Sequence, residues 1–248
     1  MSKSNVNPER ELARRSRRGF ISLGAGAVAG VACWTYLRSR PQEGELPSPF
    51  RRVLQWNGEL TSSLFGESHL APEFPASRIE ELPANGDIGL NDQTENEDWR
   101  LLFIPHGSDV ASHLALSDIQ ALPRRELISE FKCIEGWSRV VQWGGVRFRD
   151  FVQRYAPLSE KAAYVAIATP DNEYYVALDI VSALHAQTLL VYEMNGEPLN
   201  DDHGAPLRLF TSVKYGHKSI KRIGTISFSD RPPRDYWAER GYDYYAGL

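Results

Sequence analysis

At 248 residues, with 42 % hydrophobic and 24 % charged side chains, the chain has the composition of a globular protein with one sizeable core. Its net charge of −4 is unevenly spread: residues 1–40 hold eight Lys/Arg against Glu9 and Glu11, leaving residues 41–248 with 20 basic and 30 acidic side chains, a net −10. That balance excludes the basic footprint of a nucleic-acid binder, and two cysteines, Cys33 and Cys133, exclude a disulfide framework and a cysteine-only zinc site.

Ser16-Arg17-Arg18-Gly19-Phe20-Ile21 has the form of a twin-arginine export signal, followed by an uncharged run from Ile21 to Leu37 that Arg38 closes. Small and apolar residues without an amphipathic face do not suit a half-buried helix. Trp34-Thr35-Tyr36-Leu37 stands where the small residues of a cleavage site belong, and the run just reaches the length of a bilayer span. The expectation is an uncleaved anchor at residues 1–40, a proline-bearing linker at 41–50 and a periplasmic domain at 51–248. The export machinery is then a partner. Because that route carries folded proteins, a cofactor inserted before export is also expected.

Residues 51–98, interrupted by Pro72, Pro75 and Pro83, read as a long draped loop. Trp99 to Ile104 reads as a strand, and Ser117 as the cap of a short helix carrying Ile119 and Leu122. A strand from Glu126 ends at Cys133, where Gly136-Trp137-Ser138 breaks the run before Val140 to Gly145. Val146 to Tyr155 has apolar residues at helical spacing. Further strands follow at Ala162 to Thr169, Tyr174 to Leu178, Leu190 to Met194, Leu207 to Val213 and Ile223 to Phe228, with a helical piece from Ser182 to Leu189. Many short strands with a few short helices give an α+β domain, mainly β.

Two stretches carry chemistry. Cys133 is the one cysteine outside the N-terminal run, and a thiol at a strand end is either an inert core residue or a thiolate presented to a pocket. Between Lys214 and Ile223 five of ten residues are potentially cationic, with Tyr215 and Gly216 among them. Such a loop is either a solvated face or a cradle for a phosphate.

The cysteine block, Trp143, His203-Gly204-Ala205-Pro206-Leu207-Arg208, Lys214-Tyr215-Gly216-His217-Lys218-Ser219-Ile220-Lys221 and the segment from Trp237 to Tyr245 occur in this order in the sulfite oxidase superfamily. The chain resembles its bacterial YedY/MsrP-like molybdopterin-dependent oxidoreductases, over roughly residues 55 to 248. The resemblance implies a mainly β domain of the sulfite-oxidase type around molybdenum-molybdopterin, with Cys133 as the thiolate ligand of the metal. It further implies that Thr169, Arg208, Ser219, Ile220 and Lys221 hold the cofactor. His203 stands where the nearest relatives have asparagine, and Lys132 replaces a frequent arginine. Phe65, with Ser62 and Gly66, is best placed for the N-terminal contacts. The reaction implied moves an oxygen atom to or from a small S- or N-oxide substrate, by sulfoxide reduction or sulfite oxidation. With no Cys-x-x-Cys-His for an attached haem, electrons pass to or from a separate cytochrome. The rival readings are a cofactor-free exported binding protein on the same fold and a pure electron-transfer subunit.

Overall fold

The computed structural model describes residues 8–91 and 95–248. The chain divides into two compact units, Met1–Arg52 and Val53–Leu248. In the first, helix α1 (Pro8–Arg38) is followed by strands β1 (Gln42–Glu43) and β2 (Leu46–Pro47), which pair antiparallel. Its stretch Glu11–Arg38 is long and apolar enough to cross a membrane, and residues 11–36 are all exposed.

Helix α2 (Ser48–Leu64) starts within the segment expected as linker and runs through what the prolines suggested was loop. Pro49 sits in its first turn, where a missing N–H costs nothing. Its apolar residues Val53, Trp56, Leu60 and Leu64 keep a helical spacing that the interior Gly58 obscured. Residues 92–94 of the expected loop lie outside the described residues, and from Phe65 to Asn91 and from Glu95 to Asp98 the chain is largely irregular, as expected. It is not loose: the Phe74 amide donates to the Ile128 carbonyl at 2.9 Å, Glu73 bridges Ser129, and the Glu80 amide donates to the Val140 carbonyl at 2.8 Å.

The second unit is built on one mixed and one antiparallel sheet. One has the order β4-β3-β12-β7-β8, from β3 (Leu101–Ile104), β4 (Ser112–Leu114), β7 (Tyr164–Ala168), β8 (Tyr175–Asp179) and β12 (Thr225–Ser229). Within it β12 runs parallel to β3 and antiparallel to β7. The other has the order β10-β9-β6-β5, from β5 (Arg124–Lys132), β6 (Ser138–Arg147), β9 (Thr188–Met194) and β10 (Glu197–Pro198), with β11 (Arg208–Thr211) also paired to β9. Short helices α3 (Leu116–Gln120), α4 (Phe148–Tyr155), α5 (Ile180–Ala183) and α6 (Tyr236–Glu239) fill the connections. This is the α+β, mainly β domain the sequence predicts.

Details differ for local reasons. Strand β4 was not foreseen, because Ser112-His113-Leu114 has no apolar run. β6 continues to Arg147 before α4 begins, so Val146 is a strand residue. α5 ends at Ala183 and β9 already starts at Thr188, which shortens the helical piece expected there. α3 is capped by Asp118, whose carboxylate accepts from the Ala115 amide at 2.8 Å, while Ser117 lies inside the helix.

The β9 strand shows how two cores arise from one alternation. Leu190 and Tyr192 face the main core, with Trp99, Phe103, Phe148, Phe151, Val165, Ile167 and Ile226. Leu189 and Val191 face the other way, into a smaller cluster with Leu127, Phe131, Val141, Trp143 and Phe210. Cys133 and Trp137 pack at the rim of that second cluster.

Candidate active site

The β5–β6 connection places the thiol. Cys133 follows the last residue of β5, its amide donates to the Trp137 carbonyl at 2.9 Å, and the Gly136 amide returns to the Cys133 carbonyl at 3.1 Å. The turn requires φ of +91° at position 136, which glycine adopts without strain. The thiol is thereby held at the end of a paired strand, half-buried, with its sulfur 3.8 Å from Asn85 Nδ2. The same Asn85 nitrogen donates to Glu135 Oε2 at 3.0 Å, and Trp137 Nε1 donates to that oxygen at 3.1 Å. Burial pushes the thiol up, the Glu135 backbone amide pulls it down and the Glu135 charge adds to the rise. Uncoordinated, the sulfur keeps its proton; a bound metal ion would displace it.

Cys133 opens into a cavity of about 190 Å³ that widens to solvent at its mouth. Of the residues proposed from sequence, Cys133, His203, Arg208, Ser219 and Lys221 line it together. Gly216 is at its wall, where a Cβ would come within 2.2 Å of the Phe131 ring, so the loop passes Phe131 as closely as backbone can.

Arg208, on β11, is fully buried: Nη1 donates to the His203 carbonyl at 3.1 Å and Nη2 to the Ser219 carbonyl at 3.2 Å. Its guanidinium lies 5.1 Å from the Trp143 ring centroid. Lys221 Nζ donates to the Gly86 and Asp202 carbonyls at 2.8 and 2.7 Å, tying the 82–90 segment to the cavity wall.

The remaining three residues are elsewhere. Thr169 is fully buried at the end of β7, its hydroxyl donating to Asp171 Oδ1 at 2.6 Å. Ile220 belongs to the main core, its carbonyl accepting from the Leu209 amide. Phe65 lines a separate cavity with His69, Lys132 and Tyr245. The cavity wall also includes Asn85, Glu135, Tyr174, His217 and Trp237. Glu135 and His217 lie inside the two stretches that the sequence singles out, but Asn85 has only an Asn-Gly turn to mark it.

The basic segment is not a solvated face. Lys218 is fully buried, donating to Asp235 Oδ2 at 2.5 Å and to the Ala177 carbonyl at 3.1 Å. Lys214 pairs with Asp179 at 3.2 Å, and Arg222 donates to Asn96 and the Ala205 carbonyl. These three cations are spent on the fold, whereas Arg208, Lys221, His203 and His217 face the cavity.

The four cavity groups share an electrostatic strain. Burial holds Arg208 down at about 10. Burial and then Arg208 push Lys221 down to about 8, burial and then Lys218 push His217 to about 4, and burial, Arg208 and Lys221 lower His203. Arg208 Nε, His203 Nδ1 and both ring nitrogens of His217 are buried without a hydrogen-bond partner. Buried polar atoms are nearly always satisfied, so a set of orphans around one cavity points to a bound group. Donors and cations on one wall call for an anionic, oxygen- and nitrogen-rich ligand, and the thiol on another for a soft metal.

The comparisons with known proteins agree with that chemistry. Residues 88–237 match the model of the oxidoreductase molybdopterin binding domain. The chain is 31 % identical over 234 residues to the putative protein-methionine-sulfoxide reductase subunit YedZ1 of Azospira oryzae, covering 94 % of this chain and 88 % of that one. It is 35 % identical over 255 residues to the protein-methionine-sulfoxide reductase catalytic subunit MsrP of Campylobacter jejuni, covering 94 % and 81 %. Among solved structures, the sulfane dehydrogenase SoxCD of Paracoccus pantotrophus shares the fold at a TM-score of 0.50 and 15 % identity, over 57 % of this chain and 40 % of that one. The cavity fits the group these relatives imply, since a thiol, the unpaired Nε of Arg208 with Lys221 beside it, and the unpaired ring nitrogens of His203 and His217 are what a molybdenum ion and the phosphate and pterin of its cofactor require. The chain belongs to the oxidoreductase molybdopterin-binding family and is a molybdenum-molybdopterin oxidoreductase.

Proposed function

We propose that the protein reduces sulfoxides, with methionine sulfoxide as the substrate class, in the periplasm, tethered by α1 and supplied with electrons by a separate membrane cytochrome. The observation that carries this reading is the meeting of the Cys133 sulfur with the orphaned donors of Arg208, His203 and His217 in one cavity. The names of the two relatives supply the substrate class. The exposed, apolar α1 supports the tether, and the twin-arginine pattern supports export of the folded chain.

Two electrons and two protons convert a sulfoxide to a thioether and water. The cofactor supplies the electron transfer and the oxygen-atom chemistry when bound. The chain's own residues divide the remaining work. Cys133 ligates the metal as a thiolate. Arg208, Lys221 and Ser219 hold the anionic and polar groups of the pterin, and His203 and His217 direct ring nitrogens at it. Thr169 and Ile220, buried behind these residues, fix the segments that present them. Phe131, Trp137 and Trp237 give the cavity an aromatic lining that suits the apolar arms of a thioether. Glu135 disfavours an anion such as sulfite at the same place.

Protein purified from a molybdenum-replete host is expected to hold close to one molybdenum per chain and to oxidise a reduced dye with methionine sulfoxide. Cys133→Ser is expected to lose both. Molybdenum far below one per chain, with no effect of Cys133→Ser, would leave the cofactor-free binding protein standing. Sulfite oxidation without sulfoxide reduction would reverse the assigned direction.

A further inference from the structure

We propose that the outer face of α2 is a lipid-contacting surface that lays the catalytic unit against the membrane; this rests on the reading of α1 as an anchor. Val53, Trp56, Leu60 and Leu64 are 56, 62, 47 and 70 % exposed. At roughly 100° per residue they fall on one stripe of the helix.

A neighbouring side of α2 is the one that packs. Gly58 is buried, and a Cβ there would stand 3.3 Å from Asp243 and Tyr245. Leu54 and Phe65 are half-buried on the same side. Gln55, Glu59 and Ser62 make the polar side. The helix thus has a docked side, a wet side and an apolar side that is largely exposed, with Leu64 at the edge of the cavity that Phe65 lines. One exposed leucine needs no explanation, but four large apolar side chains in register do.

Three observations select lipid over protein as the cover. First, α2 begins ten residues beyond the end of α1, so the chain holds its start within about 35 Å of wherever Arg38 sits. Second, Arg38, Arg40 and Arg52 outnumber Glu43 and Glu45 from the end of α1 to the first turns of α2, which suits anionic headgroups. Third, four side chains present a few hundred Å², the size of a single surface patch, against about 800 Å² per partner in a stable protein interface. An amphipathic helix with a tryptophan at the headgroup level needs no more than this to lie in the interface.

The test is photo-crosslinking of the full chain reconstituted in phosphatidylethanolamine–phosphatidylglycerol vesicles, with p-benzoylphenylalanine at one position at a time. Leu60→p-benzoylphenylalanine is expected to yield lipid adducts, several-fold above Gln55→p-benzoylphenylalanine on the wet side. Leu23→p-benzoylphenylalanine, within α1, reports the anchor separately. Lipid adducts at positions 23 and 60 but not 55 support the proposal. Adducts at 23 with none at 60, or adducts from 60 to a second copy of the chain, overturn it and leave the anchor intact. No lipid adduct at 23 refutes the anchor itself and overturns the proposal with it.

Discussion

Asp235 joins three parts of the catalytic unit through one carboxylate. Oδ2 accepts from Lys218 Nζ at 2.5 Å and from the Ala177 amide at 3.0 Å, and Oδ1 accepts from the Ala238 amide at 3.0 Å, capping α6. Both charged side chains are sealed from water, at 0 and 1 % exposure. Asp235→Asn keeps the size and the capping oxygen but removes the charge, so Lys218 is left buried with a carbonyl and the amide for company. Breaking a buried pair from one side costs about 3–5 kcal/mol. For a chain of this size each kcal/mol lowers the midpoint by about 2–4 °C, so thermal unfolding should fall by roughly 6–20 °C. Asp235→Ala, which also loses the cap, should fall by a further ~1 kcal/mol. Replacing the ammonium as well, with Lys218→Met on Asp235→Asn, should restore more than half of the loss, because two uncharged groups of similar volume bury without the penalty. Scanning calorimetry of the four proteins decides it. A loss below about 1 kcal/mol for Asp235→Asn, or a double variant no better than the single one, would refute the claim that the Lys218 charge is spent on the fold through Asp235.

Two further outcomes follow from the cavity. Arg208→Lys should destabilise the cofactor-free protein by about 1.5–3 kcal/mol through one lost charged hydrogen bond, and should lower the molybdenum retained per chain, measured by metal analysis and by the fluorescence of released pterin. His217 is held at about 4, below its value in the unfolded chain, so the unfolded state takes up the proton first. Its contribution to stability is complete above pH 6.5 and is lost as pH falls from 6.5 towards 4, by about 3 kcal/mol across that window. Denaturant titrations of the cofactor-free protein should show that acid limb, and His217→Phe should flatten it.

Much of this architecture can be read in the sequence because strands announce themselves by an apolar run or a two-residue alternation. The run Ala162 to Thr169 is nearly continuous in small and apolar residues, and the block before Cys133 alternates, with Leu127, Ser129 and Phe131 on the buried face. The edge strand β4 has no such signal, and in α2 the exposed apolar stripe with a central glycine imitates a loop. The cavity is a different case. Cys133 and the basic segment stand out by residue type, but which cations face the ligand depends on partners far along the chain. Lys218 is bound to Asp235 and Lys214 to Asp179, and no local spacing records either pairing. Asn85 reaches the Cys133 sulfur from 48 residues away, out of a segment that has no regular structure.

That irregular segment has a second role. β5 is the last strand of its sheet, and its outer edge offers unpaired amides and carbonyls beside the cavity. Such an edge is a template on which another chain can add a strand. The contacts of Glu73 with Ser129 and of Phe74 with Ile128 occupy the middle of that edge, without the length or flatness of a strand that could itself be extended. The residues around Glu73 and Phe74 therefore cover an edge to which another strand could otherwise add.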